Sequence, residues 1–283
     1  MNINIVFIGG DARMIYAAKA LSERYGCFLY GFGDSGCGLP SHAPGAKYDI
    51  AVLPVVAGNG EIKLMSGGNS ADCGIIAEML GTGAAVFAGR APEMLKSICA
   101  EHRFSLFDYL EREELAVLNA QATAEGAVGI AVNELPGTVR GSSALVLGFG
   151  RIAKLTARCF SALGADVTVA ARKKADLAWA EACSYKPVDI TDASAFSAAL
   201  GTADVILNTV PAPILSGSAA AAVRPDAALI ELASVPCTGG EPQFRVIPAG
   251  GLPGKTAPRT AGNIIAKTIE TILTERSIEN GGA

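Results

Sequence analysis

Ala144-Leu145-Val146-Leu147-Gly148-Phe149-Gly150-Arg151-Ile152-Ala153 is the stretch that decides how this chain is read. Four apolar residues with the look of a buried strand run into G-x-G-x-x-A, which opens an amphipathic stretch reaching Leu163. Gly148 permits a tight turn, Gly150 lets the backbone approach a pyrophosphate, and Ala153 lets helix and strand pack closely. The first N–H groups of such a helix have no intrahelical acceptor and point at an anion. The string alone is weak in a chain with 33 glycines. Placed between a strand and a helix, with another strand at 166–170, it reads as a Rossmann-type dinucleotide-binding domain. Gly148, Gly150, Arg151 and Ile152 are its expected pyrophosphate-side residues.

The next strand chooses between cofactors. A site for NAD places an Asp or Glu about 20 residues beyond the glycines to hold the ribose 2′-OH, whereas a 2′-phosphate needs cations there. Here the strand ends Ala170-Ala171-Arg172-Lys173-Lys174, and no carboxylate follows until Asp176. Arg172 and Lys173 therefore favour NADP(H), with NAD as the alternative if they only solvate a helix start. Ligands of open parallel sheets sit at the carboxyl ends of the strands. Asn208-Thr209-Val210-Pro211 and Ala233-Ser234 follow later strands of this domain, so they are further expected cofactor-binding residues.

Working outward, short apolar runs alternate with Ala-rich amphipathic stretches in both halves, the pattern of βαβ units and parallel sheets. In the first half the strands are expected at 4–8, 27–30, 50–53, 84–87 and 115–118, with helices at 12–25, 71–80 and 92–102. Residues 31–47 and 55–70, rich in Gly, Ser and Asn, are expected as loops. A helix over 123–135 stops at Pro136-Gly137. The second half reads as strands at 143–147, 166–170, near Val188, 203–207, 227–232 and 244–247. Helices fall between them at 151–163, 175–184 and 193–200, and a last helix runs from Pro258 to about Glu275. The fold class is thus α/β, two parallel-sheet domains with helices bridging them. Residues 1–137, with 258–283 packing back, form the first domain, and 138–257 form the Rossmann domain.

Composition sets the outer bounds. Of 283 residues, 50% are apolar and only 18% charged, which excludes a disordered chain. The longest uncharged run, 205–223, is broken by Pro211, Pro213 and Gly217, so no membrane span is expected, and no signal-peptide pattern opens the chain. The expected compartment is the cytosol. A net charge of −4 without a basic stripe argues against nucleic acid. Seven cysteines, no C-x-x-C and two histidines argue for reduced thiols and against a metal site.

Three segments suit a substrate. Gly9-Gly10-Asp11-Ala12-Arg13 repeats the strand–glycine–helix logic and adds a cation. Asn119 to Gly126 lies at the expected start of the interdomain helix, and Gly250 to Gly262 precedes the last helix. Both are expected to line a cleft. Arg13, Thr123, Lys255, Arg259 and Thr260 are the expected substrate-binding residues, and their charge favours a carboxylate. Glu125 and Asp11 are the candidate bases. Each also has a structural role open to it, Glu125 as a first-turn acid and Asp11 as a helix cap. Among the lysines of the first half, Lys19, Lys47 and Lys63 lie in no polar cluster of the sequence.

"FIGGDAR" (7–13), "TAEG" (123–126), "LVLGFGRIA" (145–153), "VTVAARKKADLA" (167–178) and "GLPGKTAPRTAGNI" (251–264) together resemble the A-subunit family of the dipicolinate synthases of endospore-forming bacteria. The resemblance spans nearly the whole chain. It implies NADP-dependent oxidation of dihydrodipicolinate, a lysine-pathway intermediate, to dipicolinate in the sporulating mother cell, together with a flavoprotein-like B-subunit of dipicolinate synthase. Such a dicarboxylate substrate would engage Arg13, Lys255 and Arg259. Val235 to Gly240 departs from the family's "SRPGG"-like pattern and lacks its arginine. Two other readings share the visible features: a reductase of another small carboxylate, and a non-catalytic nucleotide-binding regulatory chain. Homo-oligomerisation is left open.

Overall fold

The computed structural model describes residues 3–56 and 58–281. They form two compact units, Met1–Leu118 with Ala257–Ala283, and Asn119–Thr256. The first contains β1 (Asn4–Ile8), α1 (Ala12–Leu21), β2 (Gly26–Tyr30), β3 (Tyr48–Val55), β4 (Glu61–Lys63), β5 (Ser70–Asp72), α2 (Ile75–Met79), β6 (Leu80–Gly89), α3 (Glu93–His102) and β7 (Ser105–Asp108). A single 3-10 turn, Tyr109–Glu111, leads into α4 (Glu113–Glu134), which passes into the second unit. There follow β8 (Ser143–Leu147), α5 (Arg151–Ala162), β9 (Asp166–Ala171), α6 (Lys174–Ala182), β10 (Lys186–Asp189), α7 (Ala193–Thr202), β11 (Val205–Asn208), α8 (Ser218–Ala222), β12 (Ala228–Glu231), β13 (Arg245–Pro248) and α9 (Leu252–Thr256). The last helix, α10 (Pro258–Gly281), belongs to the first unit.

Both main sheets are parallel: β2-β1-β3-β6-β7 in the first unit and β10-β9-β8-β11-β12-β13 in the second. Strand alternation explains why their strands are apolar throughout. In β1, Ile5 and Phe7 enter one core with α1 and α10, while Val6 and Ile8 enter the opposite core with Ile76 of α2 and Leu95 of α3. In β8, Ala144 and Val146 face one core and Leu145 and Leu147 the other. With both faces covered, the strand ends are left for polar chemistry.

Several expected elements differ in the structure. Residues 115–118 are the first turns of α4 rather than a strand, since a four-residue apolar run fits either state. The strand of that region is β7, a half-buried edge strand whose short S-L-F-D carries little pattern. The expected loop 55–70 contains β4 and the turn of the β4–β5 hairpin, whose second strand runs into the expected helix 71–80 and leaves only α2 helical there, and the Gly-rich stretch before Pro258 contains α9. Pro136-Gly137 ends α4, but the units divide at Leu118 because Leu115 packs into the first core while Ala127 and Ala131 pack into the second. By length and composition alone α4 could cross a membrane, yet those buried residues show it serving two protein cores.

Helices α1 and α10 approach each other at Gly262. A Cβ there would collide with the Arg13 carbonyl oxygen and stand 2.6 Å from Tyr16 Cβ. Helix propensity favours alanine by about 1 kcal/mol, but a backbone oxygen cannot yield as a flexible side chain would. Gly262→Ala should therefore destabilise the protein by about 1–2 kcal/mol net, read as a lower urea midpoint at unchanged slope.

Candidate functional site

In the second unit the strand order reverses between β8 and β11, and ligands of such sheets bind outside the strand ends at that point. The β8–α5 turn stands there. Gly148 has φ +88°. Its N–H donates to the Ala170 carbonyl at 2.8 Å, and a Cβ on it would fall 2.8 Å from Thr209 Oγ1 and 3.0 Å from Val210 Cγ2. Gly150, by contrast, has extended backbone and no protein atom within 4 Å of where its Cβ would stand. It caps α5 without a side chain, so the helix N-terminus faces outward uncovered. A turn closed on the protein side and open on the ligand side fits a pyrophosphate.

The β9 end carries Arg172 and Lys173, both exposed, their side chains free of hydrogen bonds and ion pairs among the described residues. A carboxylate does lie beside them, because Asp189 of β10 pairs in register with Ala171. It is already engaged by the Lys174 ammonium and by the Thr191 hydroxyl and N–H, which together hold it far below the usual carboxylate range. Asp189 thus already has its charge paired with Lys174 and three acceptor positions filled before any ribose hydroxyl arrives.

The β11 loop corrects one expectation. Asn208 is fully buried: its amide nitrogen donates to Glu231 Oε1 at 2.6 Å and the Val210 carbonyl at 3.0 Å, and its oxygen accepts from the Val210 N–H. It shapes the loop and has no donor left for a cofactor. Thr209 is half-buried and donates to the Leu147 carbonyl at 2.7 Å, while Pro211 and Ser234 are exposed. Glu231, which sequence reasoning missed, ties this loop to the next by accepting from the Ala233 and Cys237 N–H groups as well. An acid inside the apolar run 227–232 was the available signal. Burial, followed by the charge of Glu231, pushes the Cys237 thiol well up, so it is inert.

Also in the second unit, Thr123 is buried and bonds the Asn119 carbonyl within α4, so it is not a free donor. Glu125 stands in the middle of α4 instead of its first turn, exposed and accepting from Gln121 Nε2 at 2.9 Å. Lys255 is exposed on α9, next to Thr256, whose Oγ1 lies 3.0 Å from where a Gly126 Cβ would stand.

In the first unit the order β2-β1-β3-β6-β7 places its own reversal between β1 and β3. Gly9 and Gly10 turn there with φ +62° and +105°. Asp11 caps α1 by accepting from the Arg13 N–H at 3.0 Å and grips the Arg13 guanidinium at 2.7, 2.9 and 3.1 Å. Burial raises the Asp11 carboxyl, but the hydrogen bonds and charge of Arg13 outweigh it, and the group stays below its ordinary range. Asp11 is thus an ion-paired cap and a poor base. Arg13, the expected carboxylate clamp, already holds a carboxylate of its own chain. Arg259 and Thr260 are exposed in the first turn of α10, one turn before the Gly262 contact with Arg13.

The hairpin brings in a residue that sequence spacing left aside. The Gly10 N–H donates to the Lys63 carbonyl at 2.7 Å, and a Cβ on Gly9 would lie 2.6 Å from that same oxygen. Lys63, remote from Asp11 and Arg13 in sequence, is fixed beside their turn.

Two outcomes test these geometries. Gly150→Val should lower the melting temperature by no more than about 2–4 °C, the cost of a poorer helix cap, yet weaken nicotinamide dinucleotide binding by at least about tenfold in a fluorescence titration, because its side chain meets only ligand space. Since the Asp11 carboxyl is depressed, the pair stabilises the fold above about pH 4 and less below it. The stability gap between the wild type and Arg13→Met should shrink as urea titrations move from neutral pH to about pH 3.

Known proteins match this geometry in both halves. The N-terminal-domain family of the dipicolinate synthase A-subunit matches residues 4–110. "D-isomer specific 2-hydroxyacid dehydrogenase, NAD binding domain" matches residues 117–234, so the second unit is a nicotinamide-dinucleotide-binding, dehydrogenase-type domain. The chain is 31% identical to the dipicolinate synthase A-subunit of Bacillus subtilis (strain 168) over 99% of its own length and 98% of the relative's. Among solved structures, the dipicolinate synthase A-subunit from Bacillus halodurans superposes with TM-score 0.85 at 28% identity, covering 96% of this chain and 97% of that one. The corresponding chain of the Bacillus subtilis enzyme gives 0.84 at 28%, covering 99% and 98%. End-to-end identity at this level, with both halves of the fold matched in order, means that the chain belongs to the A-subunit family of dipicolinate synthase.

Proposed function

We propose that the chain oxidises dihydrodipicolinate to dipicolinate in the cytosol of a sporulating mother cell, using NADP+ and acting with a flavoprotein-like B-subunit. The observation that carries the cofactor choice is the β9 end, where Arg172 and Lys173 are free while Asp189 is engaged by Lys174. A 2′-phosphate would find two cations there, and a bare ribose only the lysine-paired Asp189. Kinship to dipicolinate synthase supports the substrate, and the word "subunit" in the relative's name supports a second chain.

The oxidation removes a hydride and a proton from the dihydropyridine ring, and the bound NADP+ supplies the hydride acceptor. Aromatisation drives the step, so a strongly tuned base is dispensable. That suits a chain whose candidates Asp11 and Glu125 are respectively ion-paired and solvated. The chain's own part is to seat the dinucleotide on the β8–α5 turn and to offer cations to two carboxylates.

Purified chain with NADP+ and enzymatically generated dihydrodipicolinate, assayed with and without the B-subunit, should form dipicolinate, detected by terbium luminescence. The double variant Arg172→Ala/Lys173→Ala should lose about 10–100-fold in NADPH affinity and little in NADH affinity. Equal losses for both cofactors would remove the NADP assignment. NADPH binding with no dipicolinate under either condition would favour a regulatory role.

A further inference from the structure

We infer that Lys63 is a substrate-carboxylate-binding residue of the first unit, an assignment that rests on the dicarboxylate reading above. The hairpin sets its position. In β4 alternation buries Ile62 completely and turns Glu61 and Lys63 outward. The hairpin is tied across the carboxyl ends of β1 and β2 chiefly by backbone bonds: Gly10 N–H to the Lys63 carbonyl at 2.7 Å, and the Met65 and Ser66 N–H groups to the Gly31 carbonyl at 2.9 and 3.2 Å, with the Ser66 hydroxyl donating to the same carbonyl at 3.3 Å. Glycines make the approach feasible. A Cβ on Gly9 would stand 2.6 Å from the Lys63 oxygen, and one on Gly31 2.5 Å from Leu64 Cδ2. The base of the Lys63 side chain is therefore fixed at the β1/β3 reversal, where a sheet of this order binds its ligand.

Charge then distinguishes Lys63 from its neighbours. Arg13 spends Nε and Nη2 on Asp11, so that pair presents no net charge to an incoming anion. Nη1 of Arg13 remains as a directional donor. Lys63 is exposed, and its ammonium makes no hydrogen bond or ion pair among the described residues. It is a compact cation on a flexible four-carbon stem, mounted on a fixed backbone. A carboxylate at this turn would meet Lys63 as the source of net positive charge and Arg13 Nη1 as the geometric donor.

The test compares wild type, Lys63→Gln, Lys63→Arg and, as control, Lys19→Gln on the opposite end of α1. Calorimetric titration with dipicolinate in saturating NADPH gives binding, NADPH fluorescence gives cofactor affinity, and the dipicolinate assay gives KM and kcat. Lys63→Gln should weaken dipicolinate binding and raise KM by about tenfold or more, with NADPH affinity and melting temperature unchanged. Lys63→Arg should recover part of the loss, and Lys19→Gln should match the wild type. Dipicolinate binding that is equal in wild type and Lys63→Gln overturns the assignment and leaves the proposed reaction standing. So does an equal loss of dipicolinate and NADPH affinity. A wild type that neither binds dipicolinate nor forms it removes the substrate reading, and the role of Lys63 falls with it.

Discussion

At the end of β8 the chain must pass from strand to helix within four residues, and it does so through Gly148 at φ +88° with Thr209 and Val210 packed where a side chain would stand. Neighbouring features lean on that close approach. Thr209 can sit there because its hydroxyl and its N–H both bond the Leu147 carbonyl. Its position in turn depends on Asn208, buried and locked to Glu231, which also accepts from the next loop. One turn, two loops and a buried acid form a single hydrogen-bonded assembly. The outward face of that assembly, at Gly150 and the α5 N-terminus, is left bare for an anion.

The first unit uses the same construction with a different filling. Its sheet reverses between β1 and β3, and Gly9 and Gly10 supply the left-handed turn, but the β4–β5 hairpin lies against it and Gly10 donates to Lys63 instead of to a phosphate. The polar groups gathered there are side chains of both signs. A strand–glycine–helix turn is thus a geometric device whose ligand depends on what the chain lays across it.

What could be read from the sequence was local and periodic. The G-x-G-x-x-A turn, the strands around it and the cation pair after β9 each follow from a contiguous pattern, and all stand where the pattern placed them. The failures are of two physical kinds. Residues 115–118 are a short apolar run whose state is decided by the helix continuing through both cores, which no window of that size contains. Asn208 and Thr123 were read as ligand-binding because their types favour exposed loops and helix starts, but their partners Glu231 and Asn119 consume the donors on which those readings relied. Of the two roles open to Asp11, the helix cap is the one the structure shows, and its grip on Arg13 removes the other. Lys63 was missed for the converse reason: its partner is a backbone N–H more than fifty residues away, and a main-chain bond leaves no trace in side-chain composition.

The Asp11–Arg13 pair shows why residue type and role separate here. Had Arg13 been unpaired, a guanidinium desolvated at a helix start would carry a considerable penalty, and the N-cap carboxylate lowers that penalty while ordering the fork. The same contact cancels the charge that made Arg13 attractive as a clamp. An exposed lysine needs no such neutralisation, since water solvates it until a ligand arrives and the stem can follow the anion. A rigid, neutral donor pair and a mobile charge together meet the two demands of carboxylate recognition, direction and net attraction, without burying an unpaired ion.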